Sequence, residues 1–457
     1  MSTLRSLAAD ARYLSREEAA SLTRRALAFA TADETRVTVN SGSRGNTRFA
    51  QNQVSTAGDN YNTTVTIRSA FGRRSAAVTT NKLDDAALRA AVETAERLAR
   101  LAPEDPESMP ELGPQQYANP VGWSDATASL DAAGRATMVR AVADPARGAA
   151  LQSTGYIETE SGSFAIANSK GLFAYARGTG AALTTTVRTP DGTGSGWAGS
   201  ASHDVSRIDA AALGARAIDK AQRSRNPVAI EPGRYTVVLE PTAVGNLVRL
   251  VAFALNARNA DEGRSFFTKP GGGNKIGMKV VDERVSLVSD PFDPEAPGAP
   301  FNGEGLPISP TVWIDKGVVR NLAYDRFWAQ KQGVAPTPFS GSLRMSGGDA
   351  TIDEMIASTE RGLLVTRFWY IRPVDPRTIL FTGLTRDGTF LIENGKVTRA
   401  VKNLRYNESP IFMLNNIEMM GRPTRVSASE DGSPGNSVVV PPLKVRDFTF
   451  TSLSDAI

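Results

Sequence analysis

The sequence predicts an α+β protein: an N-terminal α/β domain of helices and antiparallel strands, followed by a larger β-rich domain with antiparallel sheets or a barrel-like body. Two observations support this prediction. Short segments with alternating apolar residues are separated by glycine-containing turn pairs, and 40 glycines and 26 prolines indicate many turns. Between these segments, a few stretches repeat their apolar residues at the helical period.

The length predicts more than one domain, because 457 residues exceed one ordinary hydrophobic core. A stretch from 102 to 120 contains five prolines and has the composition of a linker. A helical pattern over 207–225 closes the segment that follows. We therefore predict an N-terminal α/β domain at 1–105, a middle region of β-meander and helix at 106–225, and a C-terminal β-rich domain at 226–457.

The N-terminal domain is predicted to contain two helices around three or four strands. The first helix covers Ser15 to Ala30, with Ser15 as N-cap and Glu18 three positions later, which is the capping-box pattern. The second covers Asp84 to Leu101. The predicted strands are ETRVTVNS, NTRFAQNQ, NYNTTVTIRSA and GRRSAAVTT.

The middle region is predicted to begin with a helix from Thr127 to Ala143 and to continue as an antiparallel meander. Its strands are LQSTGYIETESG, SFAIANSKG, LFAYARGTGAALTTTVRTPDG and TGSGWAGSASHD. Three dipeptides are interpreted as the turns between them: Ser161-Gly162, Lys170-Gly171 and Asp191-Gly192.

The C-terminal domain is predicted to be mostly strands, after a Gly- and Pro-rich region from Gly263 to Pro310. The dipeptides Lys316-Gly317 and Asn394-Gly395 indicate hairpins, and one short helix is predicted from Asp353 to Arg361. Aromatic residues are expected to be buried anchors of these strands: Trp313, Phe368, Trp369 and Tyr370.

Composition excludes several function classes. The absence of cysteine excludes disulfides, thiolate catalysis and every cysteine-bearing metal site. The formal charge of +4 is small for this length, and the densest basic cluster, Arg68, Arg73 and Arg74, is interpreted as a solvated strand face rather than a phosphate site. The polar start lacks a signal-peptide pattern and no window is apolar enough to span a membrane. We expect a cytoplasmic protein that binds neither nucleic acid nor membrane.

The most conspicuous local pattern is a strand that turns directly into a helix. A β-branched run from Tyr235 to Leu239 meets Pro241, a residue suited to the first helical turn. One apolar face then repeats at the helical period: Val244, Leu247, Val248, Val251, Ala252 and Leu255. Such junctions often carry chemistry, because helix-start N–H groups and side chains converge there. Here they offer only Glu240, Pro241, Thr242 and Asn246, which form a poor catalytic set.

Two glycine patterns resemble nucleotide-binding loops without their context. Gly194, Gly196 and Gly199 fit G-x-G-x-x-G, but no helix begins directly after them, so a glycine-rich strand edge is predicted. The segment GGGNKIG from Gly271 to Gly277 lacks the Lys-Ser/Thr of a phosphate loop. It is interpreted as a mobile surface loop, with a substrate-covering flap as the alternative.

Polar residues elsewhere do not form a recognisable catalytic set. His203 is the only histidine and lies in a Ser/Asp-rich turn, so a solvated or structural role is predicted. Asp290, Asp293 and Glu295 could bind a hard cation, but the prolines between them favour a solvated acidic loop. The sequence cannot pair the carboxylates that lie at strand ends: Asp325, Asp375 and Asp387.

Taken in order, several segments resemble the TldD/PmbA (TldE) family of predicted modulators of DNA gyrase, which are zinc-dependent metallopeptidases. The segments run from the N-terminal stretch SGSRGNTRFAQNQ to the C-terminal stretch GNSVVVPPLKV. Between them lie FNGEGLP, which contains Glu304, Gly305 and Pro307, then VWIDKGVVRNLAYDRFWAQKQG and GTFLIENGKVTRAVKNLRY. The resemblance covers nearly the whole chain.

The resemblance implies that this chain belongs to the branch without zinc chemistry. In TldD-type members, the helix after the equivalent strand carries HExxxH, and a cysteine near the C-terminus completes the zinc site. Placed on this chain, the three functional positions of that motif fall on Pro241, Thr242 and Asn246, and no cysteine exists. Neither zinc ligation nor activation of a zinc-bound water is then expected here. No catalytic, cofactor-binding or metal residue is predicted, and zinc is expected only in a partner.

The predicted function is therefore that of a TldE/PmbA-like, non-catalytic subunit of a metallopeptidase that hydrolyses unfolded peptides or peptide precursors. The implied partner is a TldD-type catalytic chain in a heterodimer whose subunits both line a peptide groove. Two alternatives stay open. One is a peptide-binding homo-oligomer, such as a homodimer, without a catalytic partner. The other is a metal-independent hydrolase that uses carboxylates.

Overall fold

A computed structural model describes residues 13–430, 432 and 437–454 of the chain. The first 12 residues, and Gly435 and Asn436 of the GNSVVVPPLKV segment, lie outside the described residues. The helices within them are α1 Arg16–Leu27, α2 Asp85–Leu101, α3 Asp125–Ala128, α4 Ala132–Gly148, α5 Ala210–Arg223, α6 Pro241–Ala254, α7 Ala257–Asp261, α8 Arg326–Gln332, α9 Ile352–Ala357 and α10 Pro410–Asn415.

The strands among the described residues form three sheets. They are β1 Glu34–Ala50, β2 Gln53–Phe71, β3 Arg74–Thr80, β4 Gln152–Asn168, β5 Phe173–Arg188, β6 Ser195–Ser202, β7 Gly233–Leu239, β8 Leu287–Ser289, β9 Thr311–Asp315, β10 Val318–Val319, β11 Arg344–Met345, β12 Arg361–Val365, β13 Phe368–Asp375, β14 Leu380–Thr385, β15 Thr389–Glu393, β16 Lys396–Ala400, β17 Leu404–Glu408, β18 Ile417–Met420, β19 Thr424–Ser427, β20 Ser437–Val440 and β21 Leu443–Leu453.

The first sheet is antiparallel, with the order β3-β2-β1-β4-β5-β6. Odd-numbered residues of β1 are buried against helices: Val37 and Val39 belong to a core shared with α1 and α2, and Phe49 to one shared with α4 and α5. Because side chains alternate between the faces of a strand, even-numbered residues of β1 lie on the opposite face. The helices therefore leave one face of this sheet free for another element.

The helix boundaries follow local sequence signals. Glu18 N–H donates to Ser15 Oγ at 3.2 Å and Ser15 N–H donates to Glu18 Oε2 at 2.8 Å, which confirms the predicted capping box of α1. The Asp84 side chain caps α2. The helix predicted from Thr127 to Ala143 is instead two helices, because Ser124 caps α3 and Asp131 starts α4 anew.

The predicted strand breaks were wrong at two places. ETRVTVNS and NTRFAQNQ are parts of one continuous strand, β1, and the first two strands predicted for the middle region are one strand, β4. Ser161-Gly162 is therefore no turn, since both residues lie within the ladder between β1 and β5. The turns at Lys170-Gly171 and Asp191-Gly192 are confirmed between β4, β5 and β6.

Two further sheets form the C-terminal part of the chain and confirm the predicted fold class. One has the order β10-β9-β8-β11-β20-β19; the other contains nine strands, curls into a half-barrel and has β7 between β12 and β21. The hairpins at Lys316-Gly317 and Asn394-Gly395 are confirmed by the pairs β9–β10 and β15–β16. The predicted helix Asp353–Arg361 ends at Ala357 as α9, and Arg361 already starts β12.

The aromatic anchors were predicted correctly only in part. Trp313 and Phe368 are fully buried, and Trp313 donates its indole N–H to Ser289 Oγ at 2.7 Å. Tyr370 is 50% exposed, and Trp369 is only half-buried. The reason is that β13 is an edge strand of its sheet, where alternate side chains face solvent. None of the described helices combines the length and the apolar character needed to cross a membrane.

Candidate functional site

The strand-to-helix junction lies in the middle of the nine-stranded sheet. Its strand, β7, pairs with β12 in parallel and with β21 in antiparallel orientation. Pro241 is the first residue of α6, and Glu240 is its N-cap without a side-chain capping bond. The predicted apolar face is fully buried, except that Ala252 is only partly buried: Val244, Leu247, Val248, Val251 and Leu255.

The amide of Asn246 is a structural bridge. Its Oδ1 accepts the backbone N–H of Phe368 at 3.2 Å, and its Nδ2 donates to the carbonyl oxygen of Ala428 at 3.0 Å. The residue is 3% exposed, so neither bond competes with water. Because both polar atoms are used, the side chain holds α6 to β13 and to the end of β19.

The only carboxylate at this junction is also engaged. Glu240 Oε2 accepts from Lys220 Nζ at 2.7 Å, and the two side chains are 19% and 7% exposed. Lys220 lies on α5, so the pair joins the helix that packs on the first sheet to the start of α6. A carboxylate in a close, largely desolvated ion pair is poorly placed to act as a general base for a bound water.

The junction does not fit a zinc ion. Zinc in proteins needs thiolate, imidazole or carboxylate donors, usually three or four. Pro241 has no donor atom in its side chain, and the Asn246 amide is used by backbone partners. Across residues 13–430, 432 and 437–454, no group of three or more His, Cys, Asp or Glu side chains could hold a metal ion. That Pro241, Thr242 and Asn246 occupy the positions of a lost HExxxH stays a prediction.

A deep cleft lies elsewhere, between the free face of the first sheet and the segment 295–301. Its volume is about 840 Å³, the largest of the cavities that we describe. Its floor is formed by β1, β2, β4 and β5, and His203 lies at its rim. Sequence reasoning missed this cleft, because its lining comes from strands whose pairing the sequence does not reveal. A smaller cavity of about 420 Å³ lies beside Asp387.

His203 has a mixed environment. Its carbonyl oxygen accepts the hydroxyl groups of Thr127 at 2.9 Å and Thr179 at 2.7 Å, which supports a structural role of its backbone. The ring nitrogen Nδ1 is buried with no hydrogen-bond partner among the described residues. Burial, and next the positive charge of Arg207, lower the pKa of the imidazole below its usual 6.5. This environment favours the neutral form of the ring.

The acidic loop was predicted to be solvated, but two of its carboxylates form ion pairs with arginine residues. Asp293 accepts two bonds from Arg344, at 2.8 and 3.0 Å, and is 12% exposed. Glu295 pairs with Arg207 at 3.0 Å and with Arg425 at 3.4 Å. The side chain of the third member, Asp290, accepts the backbone N–H of Phe292. Asp293 and Glu295 therefore join distant segments of the chain, although the Glu295 side chain is still 45% exposed.

The glycine patterns have structural roles. Gly196 and Gly199 lie within the edge strand β6, and Gly194 directly precedes it, as predicted. A Cβ atom at Gly196 would lie 2.2 Å from the carbonyl oxygen of Ala217, so glycine is needed for the close packing of α5. The loop from Gly271 to Gly277 is largely exposed, and its role as a flap stays a prediction.

The remaining polar candidates have separate local partners. Arg68 pairs with Glu111 at 3.2 Å and is therefore no freely solvated residue, whereas the pair of Arg74 with Glu104 is exposed. Each strand-end aspartate has its own role. Asp325 caps α8, Asp375 accepts the Thr378 hydroxyl, and Asp387 is buried and accepts the Ser195 hydroxyl at 2.6 Å.

Solved structures show the same fold at low sequence identity. TldE from Thermococcus kodakarensis superimposes with a TM-score of 0.81 at 19% identity, covering 96% of this chain and 100% of that chain. A protein from Bacteroides thetaiotaomicron, described as a modulator of DNA gyrase, superimposes with a TM-score of 0.79 at 22% identity, covering 95% and 99%. At such identities, the likeness concerns the fold.

Several sequence relatives are described as metalloproteases. A metalloprotease of Methanothermobacter thermautotrophicus is 25% identical over 328 residues, which is 66% of this chain and 69% of the relative. A metalloprotease TldD homolog of Haemophilus influenzae is 26% identical over 263 residues, which is 53% of each chain. The match therefore spans about half the length of the second relative.

Family models cover most of the chain. The model of the PmbA/TldA metallopeptidase domain 1 matches residues 36–99, that of the central domain matches 125–225, and that of the C-terminal domain matches 232–452. The matches occur in this order along one chain. They confirm the resemblance inferred from the sequence: this chain belongs to the PmbA/TldD metallopeptidase family.

Proposed function

We propose that this chain is a TldE-like, non-catalytic subunit of a zinc-dependent peptidase. Its partner is a TldD-type chain that carries the zinc, and their common substrate is unfolded peptide. The observation that supports this proposal most directly is Asn246, whose amide is committed to Phe368 and Ala428. A buried amide whose oxygen and nitrogen both bond to the backbone is poorly placed to ligate a metal ion.

The rest of the junction supports the same conclusion. The buried face of α6 keeps the packing of a helix that holds a site, and only the donor atoms are missing. Lys220 neutralises Glu240, the only carboxylate present. Because the chain belongs to a metallopeptidase family, we infer that the complex is a peptidase, with the metal bound by the partner. The location that we propose for the complex is the cytoplasm.

The test is co-expression with a TldD-type chain encoded in the same genome. We expect a stable complex that contains zinc and cleaves unfolded casein, whereas the same partner alone cleaves more slowly. The purified chain alone is expected to hold no zinc by mass spectrometry of metals. Stoichiometric zinc in the isolated chain, or a partner that neither binds it nor changes its rate, would overturn the proposal.

Two other outcomes identify the alternative functions. Peptide binding by a self-associated chain that ignores every TldD-type partner would indicate a peptide-binding homo-oligomer. Cleavage of casein by the isolated chain after dialysis against a chelator would indicate a metal-independent hydrolase. A matched control is the partner with its HExxxH glutamate changed to glutamine, which should assemble normally and lose cleavage.

A further inference from the structure

A row of three glycines crosses the floor of the cleft. Gly42 on β1 lies opposite Gly162 on β4, and Gly162 lies opposite Gly178 on β5. Asn62 on β2 continues the row on the other side of Gly42. Neighbouring strands are about 4.8 Å apart, so three adjacent glycines expose a strip of bare backbone about 10 Å long. This strip is the glycine row.

Side chains stand on both sides of the glycine row. The residues two positions away along each strand lie on the same face of the sheet. On one side they include Asn40 and the partly buried Phe164, and on the other Arg44 and Glu160, which are opposite each other in the ladder. The glycine row is therefore the bottom of a trough that runs across the strands.

The trough has an aromatic wall at one side. The ring of Phe301, from the segment above the sheet, stacks on Phe164 with centroids 5.6 Å apart and planes 21° apart. Tyr117 packs against the same Phe301 at 5.0 Å. Phe301 is 2% exposed and holds the wall in place, whereas Phe164 is partly accessible from the cleft.

The charged side chains of the cleft have partners within the chain. Arg44 pairs with Glu160 at 3.2 Å, and Glu295 is held by Arg207. The guanidinium of Arg177 lies over the Trp123 ring at 4.4 Å. A lining with matched charges does not select a strongly charged ligand, and nucleic acid in particular would need a cluster of unmatched cations.

We propose that this cleft binds an extended, uncharged peptide segment that lies along the glycine row and places an apolar side chain against Phe164. The missing side chains let a ligand backbone approach the floor closely. Asn40, Asn62 and Thr64 line the cleft and offer amide and hydroxyl groups to the ligand backbone. This inference rests on the proposed function only in taking the ligand to be a peptide.

One glycine allows a clean test. A Cβ atom at Gly178 would meet only the carbonyl oxygen of Gly122, at 3.7 Å, which is ordinary contact. At Gly42 a Cβ would lie 2.7 Å from the carbonyl oxygen of Ser161, and at Gly162 the nearest backbone atom is equally close, at 2.8 Å. Gly178 is therefore the position where an added side chain begins with ordinary contacts only, and Gly178→Val narrows the trough there. Substitutions at Gly42 or Gly162 would instead test folding.

The experiment measures fluorescence anisotropy of a fluorescein-labelled octapeptide of Gly, Ala and Ser with one central Phe, titrated with the full chain. We expect saturable binding that weakens at least about tenfold in Gly178→Val, a change of about 1.4 kcal/mol. The control is Gly58→Val, on the exposed part of β2, where a Cβ meets nothing within 4 Å. Replacing the peptide's Phe by Gly should weaken binding similarly.

Four outcomes would overturn the inference: no binding by the wild-type chain, equal binding by Gly178→Val, equal binding of the peptide without Phe, or complete displacement by maltoheptaose, which would indicate a sugar site. The proposed function fails separately. Peptide binding by a chain that forms no complex with a TldD-type partner would leave the cleft assignment intact. If the complex contains zinc and is active but this chain binds no peptide, only the assignment of the cleft as a peptide site would be wrong.

Discussion

The side-chain oxygen of Asn246 lies 3.2 Å from the backbone nitrogen of Phe368 and accepts its hydrogen bond inside the largest core of the protein. Asn246→Leu removes this acceptor and also leaves the Ala428 carbonyl group unpaired. An unsatisfied buried polar group costs about 1–3 kcal/mol, so for these two groups we expect a destabilisation of roughly 2–6 kcal/mol. Urea unfolding followed by tryptophan fluorescence measures it, with Thr242→Ala as control. An unchanged urea midpoint in Asn246→Leu would contradict a stabilising role of the two Asn246 hydrogen bonds.

The ion pair between Lys220 and Glu240 should behave as a buried pair in a double-mutant cycle. Glu240→Gln leaves the ammonium group, 7% exposed, without its counter-charge, and breaking such a pair costs about 3–5 kcal/mol. Lys220→Met should cost less, because the glutamate side chain is more exposed. The double variant is expected to lose less stability than the two single variants lose together. Strict additivity in thermal unfolding would show that the two charges do not interact.

Acid should weaken the clamp formed by Asp282 and Arg284. Hydrogen bonds from the Arg284 guanidinium lower the pKa of Asp282 from 3.8 to about 2, and the same guanidinium holds the carbonyl oxygens of Ile417 and Glu418. Because the folded pKa is the lower one, the stabilisation is present above pH 3.8 and is lost as the pH falls towards 2.

The measurement for this clamp compares wild type with Asp282→Asn by thermal unfolding from pH 7 to pH 3. The variant should melt lower at pH 7, and the gap should narrow as the pH falls. Asp349→Asn, at an exposed pair with Arg422, should show almost no gap at any pH. A gap for Asp282→Asn that stays constant with pH would contradict the assigned cause.

The single histidine provides an internal probe of the cleft. Burial and Arg207 lower the pKa of His203, whereas Glu295 acts in the opposite direction. We expect the imidazole C–H signals of this one histidine to titrate with a midpoint below pH 6.5, and Glu295→Gln to lower this midpoint further. Because the pKa of His203 is lower in the folded than in the unfolded protein, the free energy of unfolding should fall as the pH drops below 6.5. A midpoint above 6.5 would contradict the described environment.

The local part of the fold could be predicted from the sequence, because its determinants are neighbours along the chain. Ser15 and Glu18 form the predicted capping box, and the apolar period of α6 places Val244, Leu247 and Val251 in the core. Hairpin turns whose glycine has a positive φ, such as the turn at Gly395, could also be predicted from the sequence. Each of these signals acts within a few residues.

Long-range pairing explains what the sequence did not show. Ser161-Gly162 has the composition of a turn, yet ladders on both sides keep it within a strand. The same Gly162 forms the floor of the cleft because Gly42 and Gly178 lie opposite it. Nothing local relates these three positions, so the strand error and the missed cleft have one physical cause. The role of Asn246 was hidden likewise, since its partners Phe368 and Ala428 lie far along the chain.

The continuous strand β1 has a consequence for biosynthesis. Its neighbour β4 is synthesised after it, once α2, a linker and two more helices have followed; Phe49 lies opposite Gly155. Until then, one long side of β1 exposes unpaired N–H and C=O groups, which other chains can pair with. Pairing of such distant segments is also slow. The open edge of β1 can therefore pair with other chains until residue 168 has left the ribosome, and a chaperone that shields this edge would improve the yield of folded protein.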